Sequence, residues 1–152
     1  MSTNLSWSIE GEKQISRNLE GLKHNLKNFK EPFKDASNML VGIFSKDVFS
    51  TKGSVIGEQW ARLSPMTIKQ KAKRGFGSEP LIATGTMQGS FRTIVETDKA
   101  VIYNKSDYFK YHQSNKPRKK LPRRVMMKIA NTQKVEVVRI FQRHILESLN
   151  KA

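Results

Sequence analysis

Ile15, Leu19, Leu22, Leu26 and Phe29 recur at steps of four, three, four and three, the spacing that sets side chains on one stripe of an α-helix. The run predicts a helix from Ile9 to Lys30. Pro32 then biases the residue before it away from helical backbone, yet suits the first turn of a new helix. Phe33, Ala36, Leu40, Ile43, Phe44 and Val48 carry a second amphipathic pattern, so two helices joined at a kink or short turn are expected. Each has one apolar face, and both faces must be covered by the remainder of the chain.

That remainder changes character several times. Ser50 to Gly57 is rich in Gly and Ser and reads as a loop with mobile backbone. Ser64 can cap a helix and Pro65 fits its first position, so a short basic helix is predicted to about Arg74, ended by Gly75 to Pro80. The stretches 91–96 and 100–103 alternate or run apolar on either side of Thr97-Asp98-Lys99, the pattern of a β-hairpin. From Val125 onward helical spacing returns, with Met126, Ile129, Val137, Phe141, Ile145 and Leu149 as the expected buried stripe of a long C-terminal helix. This order predicts an α+β fold. At 152 residues it is expected to form one domain, with a helical part over 1–50, a central region over 58–124 and the closing helix over 125–152.

Composition narrows the chemistry. Without cysteine, disulfides and thiolate metal sites are excluded. The first residues lack a basic stretch followed by an apolar run, and no apolar segment reaches bilayer length, so neither secretion nor membrane insertion is expected and the chain is read as made in a cytoplasm. His24, His112 and His144 are scattered, and no nucleophile elbow, zinc-binding His pair or phosphate loop occurs. Glu10 with Glu12, or Asp47 with Glu58, could be paired on paper, but nothing in the sequence fixes them together. The residues point away from an enzyme, and no cofactor or metal is implied.

Twenty-eight Lys and Arg against thirteen Asp and Glu give a formal charge of +15, and a mean hydropathy of −0.58 leaves a lean core. No acidic residue stands between Asp107 and Glu136, where Lys116, Arg118, Lys119, Lys120, Arg123 and Arg124 cluster. Such a run suits nucleic-acid phosphates, an acidic protein rim, or plain solvation. Tyr108, Phe109 and Tyr111 just before it fit either base stacking or, better at this spacing, packing of the loop onto its own core.

Upstream stand Trp60, Leu63, Ser64 and Thr67; then Pro80, Leu81, Thr84, Gly85, Met87 and Ser90; then Tyr108, His112 and Gln113; then Pro122 and Arg124. In that order and at those separations the residues resemble the phage virion morphogenesis family, which includes the Mu G-like tail completion proteins of long-tailed phages. The resemblance covers about half of the chain directly. It departs where the family often has a Gly soon after His-Gln and a Pro-Phe after the Arg: Ser114-Asn115 and Val125-Met126 occupy those places. It implies a non-enzymatic virion protein of the neck or upper tail, in a homo-oligomeric ring that meets neighbouring neck, tail terminator or tail tube proteins, with DNA in the channel as a further contact. Within that unit Trp60, Leu63, Leu81 and Tyr108 are expected to hold the centre together. Gly85 is expected to meet a demand for positive φ or close approach, and His112 to anchor its loop by hydrogen bonding.

Overall fold

The computed structural model describes residues 12–114 and 120–151, and Ile9, Glu10, Lys116, Arg118 and Lys119 lie outside the described residues. Helix α1 (Glu12–Lys27) stops where Asn28 turns its side-chain oxygen onto the Lys30 amide at 3.0 Å, a local bond that competes with helix continuation. Helix α2 (Lys30–Gly42) starts at once, with buried Pro32 in the first turn, where a missing N–H has no helical acceptor to disappoint. It runs on through a π-helical stretch (Ile43–Asp47) into a last turn, α3 (Val48–Ser50). Leu40, Phe44, Val48 and Phe49 all face inward along this continuous rod.

The segment 50–57 is not the open, mobile loop its Gly and Ser content suggests. It folds into a tight turn around a 3-10 segment (Ser54–Ile56), with Gly53 N–H donating to Val48 O and Trp60 N–H to Lys52 O, both at 2.8 Å. Gly53 has φ +86°, and a Cβ there would lie 2.0 Å from Glu58 O and 2.7 Å from the Trp60 ring, so the turn admits only glycine. Helix α4 (Pro65–Lys73) follows as predicted, with Ser64 Oγ accepting from Thr67 N–H at 3.2 Å.

Strands β1 (Phe91–Val95) and β2 (Ala100–Asn104) pair antiparallel, Phe91 opposite Asn104 and Val95 opposite Ala100. Helix α2 packs across both strands and against α6 (Asn131–Lys151). The α1–α2 junction is tied to the hairpin tip by Phe29 N–H donating to Thr97 O at 2.9 Å. Leu40, Phe44, Val48, Phe49, Ile56, Trp60, Met87, Phe91, Val125 and Met126 form one continuous core. The architecture is therefore mixed α+β: N-terminal helices, a short basic helix, a central two-stranded hairpin and a long C-terminal helix. Among the described residues no helix is long and apolar enough to cross a membrane.

The C-terminal helix begins six residues later than its apolar spacing indicates. Residues 125–130 are extended, because their backbone groups are engaged sideways: Val125 O accepts from Trp60 Nε1–H at 2.7 Å, and the Met126 and Met127 amides donate to Gln113 Oε1 at 3.0 and 3.1 Å. Groups bonded outward cannot also close helical rings, so tertiary bonding overrides the periodicity. Gln133 then caps the true start, its Oε1 accepting from Ala130 N–H at 3.0 Å. Met126 is core, whereas Ile129 and Leu149, read as buried from spacing, are exposed.

Candidate functional site

Residues that stand far apart in sequence meet around one cleft of about 580 Å³. Helix α4 supplies one wall through Thr67, Lys71 and the following Arg74, with Ser64 at its cap. The run 81–87 supplies the opposite side, and its path depends on unusual backbone. Gly85 has φ +79° with open space where a Cβ would go, so the conformation and not crowding requires glycine, while Leu81 holds φ +61° despite its side chain. The floor is apolar, formed by Leu63, Phe76, Leu81, Ile82 and Met87. Tyr108, His112 and the chain around Pro122 close the far end. Of the fifteen residues that carry the resemblance, eleven line this cleft: Leu63, Ser64, Thr67, Leu81, Thr84, Gly85, Met87, Tyr108, His112, Pro122 and Arg124; Ser90 and Gln113 do not. Trp60 and Pro80 are buried outside its lining.

Trp60 does what its expected core role requires. It is 4% exposed, meets Phe49 edge-on at 5.4 Å and ties down the non-helical segment 124–127 through its indole N–H, which donates to Val125 O. Leu63 and Leu81 are only half-buried, because their other faces form the cleft floor. Tyr108 differs from expectation: it is 44% exposed on the rim, and Tyr111 is exposed too. Phe109 packs instead, edge-on to Phe91 at 5.8 Å, because the single turn of α5 (Phe109–Gln113) can turn only part of this aromatic run inward. His112 anchors the loop through its backbone, with its carbonyl accepting from Arg124 N–H at 3.1 Å.

The basic run divides sharply. Lys120 is exposed on the cleft rim, and Arg123 is exposed with its Nε–H donating to Gln113 O at 3.2 Å. Arg124, expected at the surface as a contact for protein or DNA, is 4% exposed. Its Nε–H donates to Ala61 O at 3.0 Å and its Nη2 to Arg62 O at 3.3 Å, so it clamps the Trp60–Leu63 segment against the segment 120–127. Burial lowers its pKa from the ordinary arginine value, and among the described residues no carboxylate pairs with it. A planar fork of donors reaches the two adjacent carbonyls in fixed geometry, which is why this basic position is structural. Gln113 is the companion staple, with Nε2–H donating to Met127 O at 2.7 Å while its Oε1 accepts the two methionine amides. Its place beside His112 in the family pattern was the only sequence signal for that role.

Electrostatically the cleft has one sign. Arg62, Lys71, Arg74, Lys120 and Arg124 line it, and among the described residues no Asp or Glu does. Lys71 places its ammonium on Glu79 O and on Ile82 O, the latter at 2.7 Å. Burial lowers its pKa, with the Glu79 charge acting weakly in the other direction. The Glu79 carboxylate itself faces Lys52 at 3.6 Å. Elsewhere Glu58 is ion-paired to Lys128 at 2.6 Å, not to Asp47. Among the described residues no three His, Asp or Glu side chains lie close enough together to hold a metal ion. The arrangement can bind anionic groups over an apolar floor. No known protein family, curated protein or solved structure matches this chain in comparison searches.

Proposed function

We propose that this chain is a structural virion protein of a tailed phage, a tail completion or neck component at the head-tail junction. In this reading it acts as a homo-oligomeric ring that docks onto neighbouring neck, tail terminator or tail tube proteins. One observation carries the reading. Eleven residues that give the sequence its family likeness, spread from Leu63 to Arg124, line a single cleft, so the ordered pattern gathers in one place in the fold. The excess of cations and the exposed apolar side chains of α6, among them Val135, Val138 and Leu146, fit a protein whose surface is completed by neighbours.

The test is a lysate of the phage carrying a deletion of this gene, viewed by negative-stain microscopy. Separate filled heads and finished tails are expected, rejoined when the gene is supplied in trans. Intact infectious particles without the gene would refute the reading. A second reading, a nucleic-acid-binding protein, is favoured by exposed Lys120 and Arg123 at the end of the acid-free stretch. It requires tight duplex binding near physiological salt with a steep salt dependence.

A further inference from the structure

The cleft is a concave site with a divided chemistry. Its cations converge from three separate pieces of chain: Arg62 before α4, Lys71 and Arg74 at the end of α4, and Lys120 with Arg124 from the segment after α5. They rise around an apolar floor that includes Leu63, Leu81 and Met87. Two of these cations are already partly stripped of water, Arg124 and Lys71, and both are held on backbone carbonyls. The other three, Arg62, Arg74 and Lys120, are exposed, which leaves their charges open to an incoming anion. A cleft of about 580 Å³ is too small to enclose a DNA duplex, whose phosphates would reach only the exposed cations and leave the apolar lining uncovered. A protein segment carrying carboxylates beside an apolar side chain matches both halves of the cleft.

We propose that this cleft receives an extended acidic segment of a neighbouring protein. Its carboxylates pair with Arg62, Arg74 and Lys120 at the rim, and an apolar side chain rests on Leu63, Leu81 and Met87. The inference rests on the docking role proposed above and names the chemistry of the partner at that site.

The experiment uses the full-length purified chain and a short fluorescent peptide alternating glutamate with leucine. Its comparisons are the same peptide with serine for leucine and a labelled single-stranded oligonucleotide, all read by anisotropy. The variant pair R62E/R74E reverses two exposed rim charges, and K27E/K34E reverses two exposed charges on α1 and α2 away from the cleft. Circular dichroism establishes that both pairs remain folded. The peptide is expected to bind, to weaken when serine replaces leucine, and to lose about tenfold or more in affinity with R62E/R74E, because two attractive contacts become repulsive. With K27E/K34E the loss is expected to stay under about twofold in moderate salt. Equal losses from the two pairs, no peptide binding, or an oligonucleotide that displaces the peptide and alone responds to R62E/R74E would each overturn the proposal. The measurement involves no virion. If it fails while deletion lysates still hold unjoined heads and tails, the cleft inference falls and the virion role stands; the reverse pair of results does the opposite.

Discussion

Arg124→Ala distinguishes a structural clamp from a surface contact. The guanidinium is 4% exposed and makes two bonds, to Ala61 O and Arg62 O. A hydrogen bond from a charged donor is worth about 1.5–3 kcal/mol. Against that, removing a buried charge with no carboxylate partner recovers part of its desolvation cost, so the net loss is expected at about 2–4 kcal/mol. With a urea slope of about 2 kcal/mol per molar for a domain of this size, the unfolding midpoint falls by about 1–2 M. Equilibrium urea unfolding followed by circular dichroism reads this directly. Arg124→Lys is expected to recover only part of the loss, because a flexible ammonium lacks the fixed planar fork that reaches both carbonyls from this buried position. Arg123→Ala, which loses one exposed contact at 3.2 Å, is expected to cost under about 0.5 kcal/mol. A midpoint for Arg124→Ala within about 0.2 M of the parent, given that slope, would refute the clamp and return Arg124 to the surface role its sequence context suggests.

Three further outcomes follow from the same geometry. Trp60→Phe keeps an aromatic ring beside Phe49 but leaves the buried Val125 carbonyl without its 2.7 Å donor, and a loss of about 1–3 kcal/mol in urea unfolding is expected. Gly53→Ala is expected to cost more than the roughly 1–2 kcal/mol of left-handed strain that Gly57→Ala alone should show, because only at position 53 would a Cβ meet Glu58 O and the Trp60 ring. For Glu58, the hydrogen bond from Lys128 lowers the folded pKa, outweighing a smaller opposing effect of burial. Its contribution is therefore present above the unfolded carboxylate value near 4.3 and lost as pH falls through the folded value. The stability difference between the parent and Glu58→Gln should be under about 1 kcal/mol at neutral pH and vanish in acid; a gap that widens on acidification would contradict the pairing.

The local physics of this chain was readable in sequence, and its lateral bonding was not. The change of helix close to Pro32, the Ser64 cap and the hairpin around Thr97 to Lys99 each follow from residues acting on their own neighbourhood, although Asn28 ends α1 at Lys27, short of the expected Lys30, and Glu31 before the proline is already helical. Val125 to Ala130 carries helical spacing but is held extended by partners at Trp60 and Gln113, which no local window contains. The same limitation hid Arg124. Within a run of cations it looks like surface, and only the carbonyls of Ala61 and Arg62 make it interior. The Ser50 to Gly57 turn is tight because Trp60 lies over Gly53, a contact that glycine content alone cannot announce. For the cleft, sequence order identified about half of the lining residues. It did not show that they enclose a basic pocket, since Arg62, Lys71 and Arg74 lie well upstream of the acid-free stretch.

The most direct test of the virion role is the protein content of purified particles. A structural component is expected to band with virions in a density gradient at a fixed, small copy number, and to cross-link through lysines such as Lys120 to neck or upper-tail proteins. Its absence from purified virions, despite abundance in the lysate, would contradict the role.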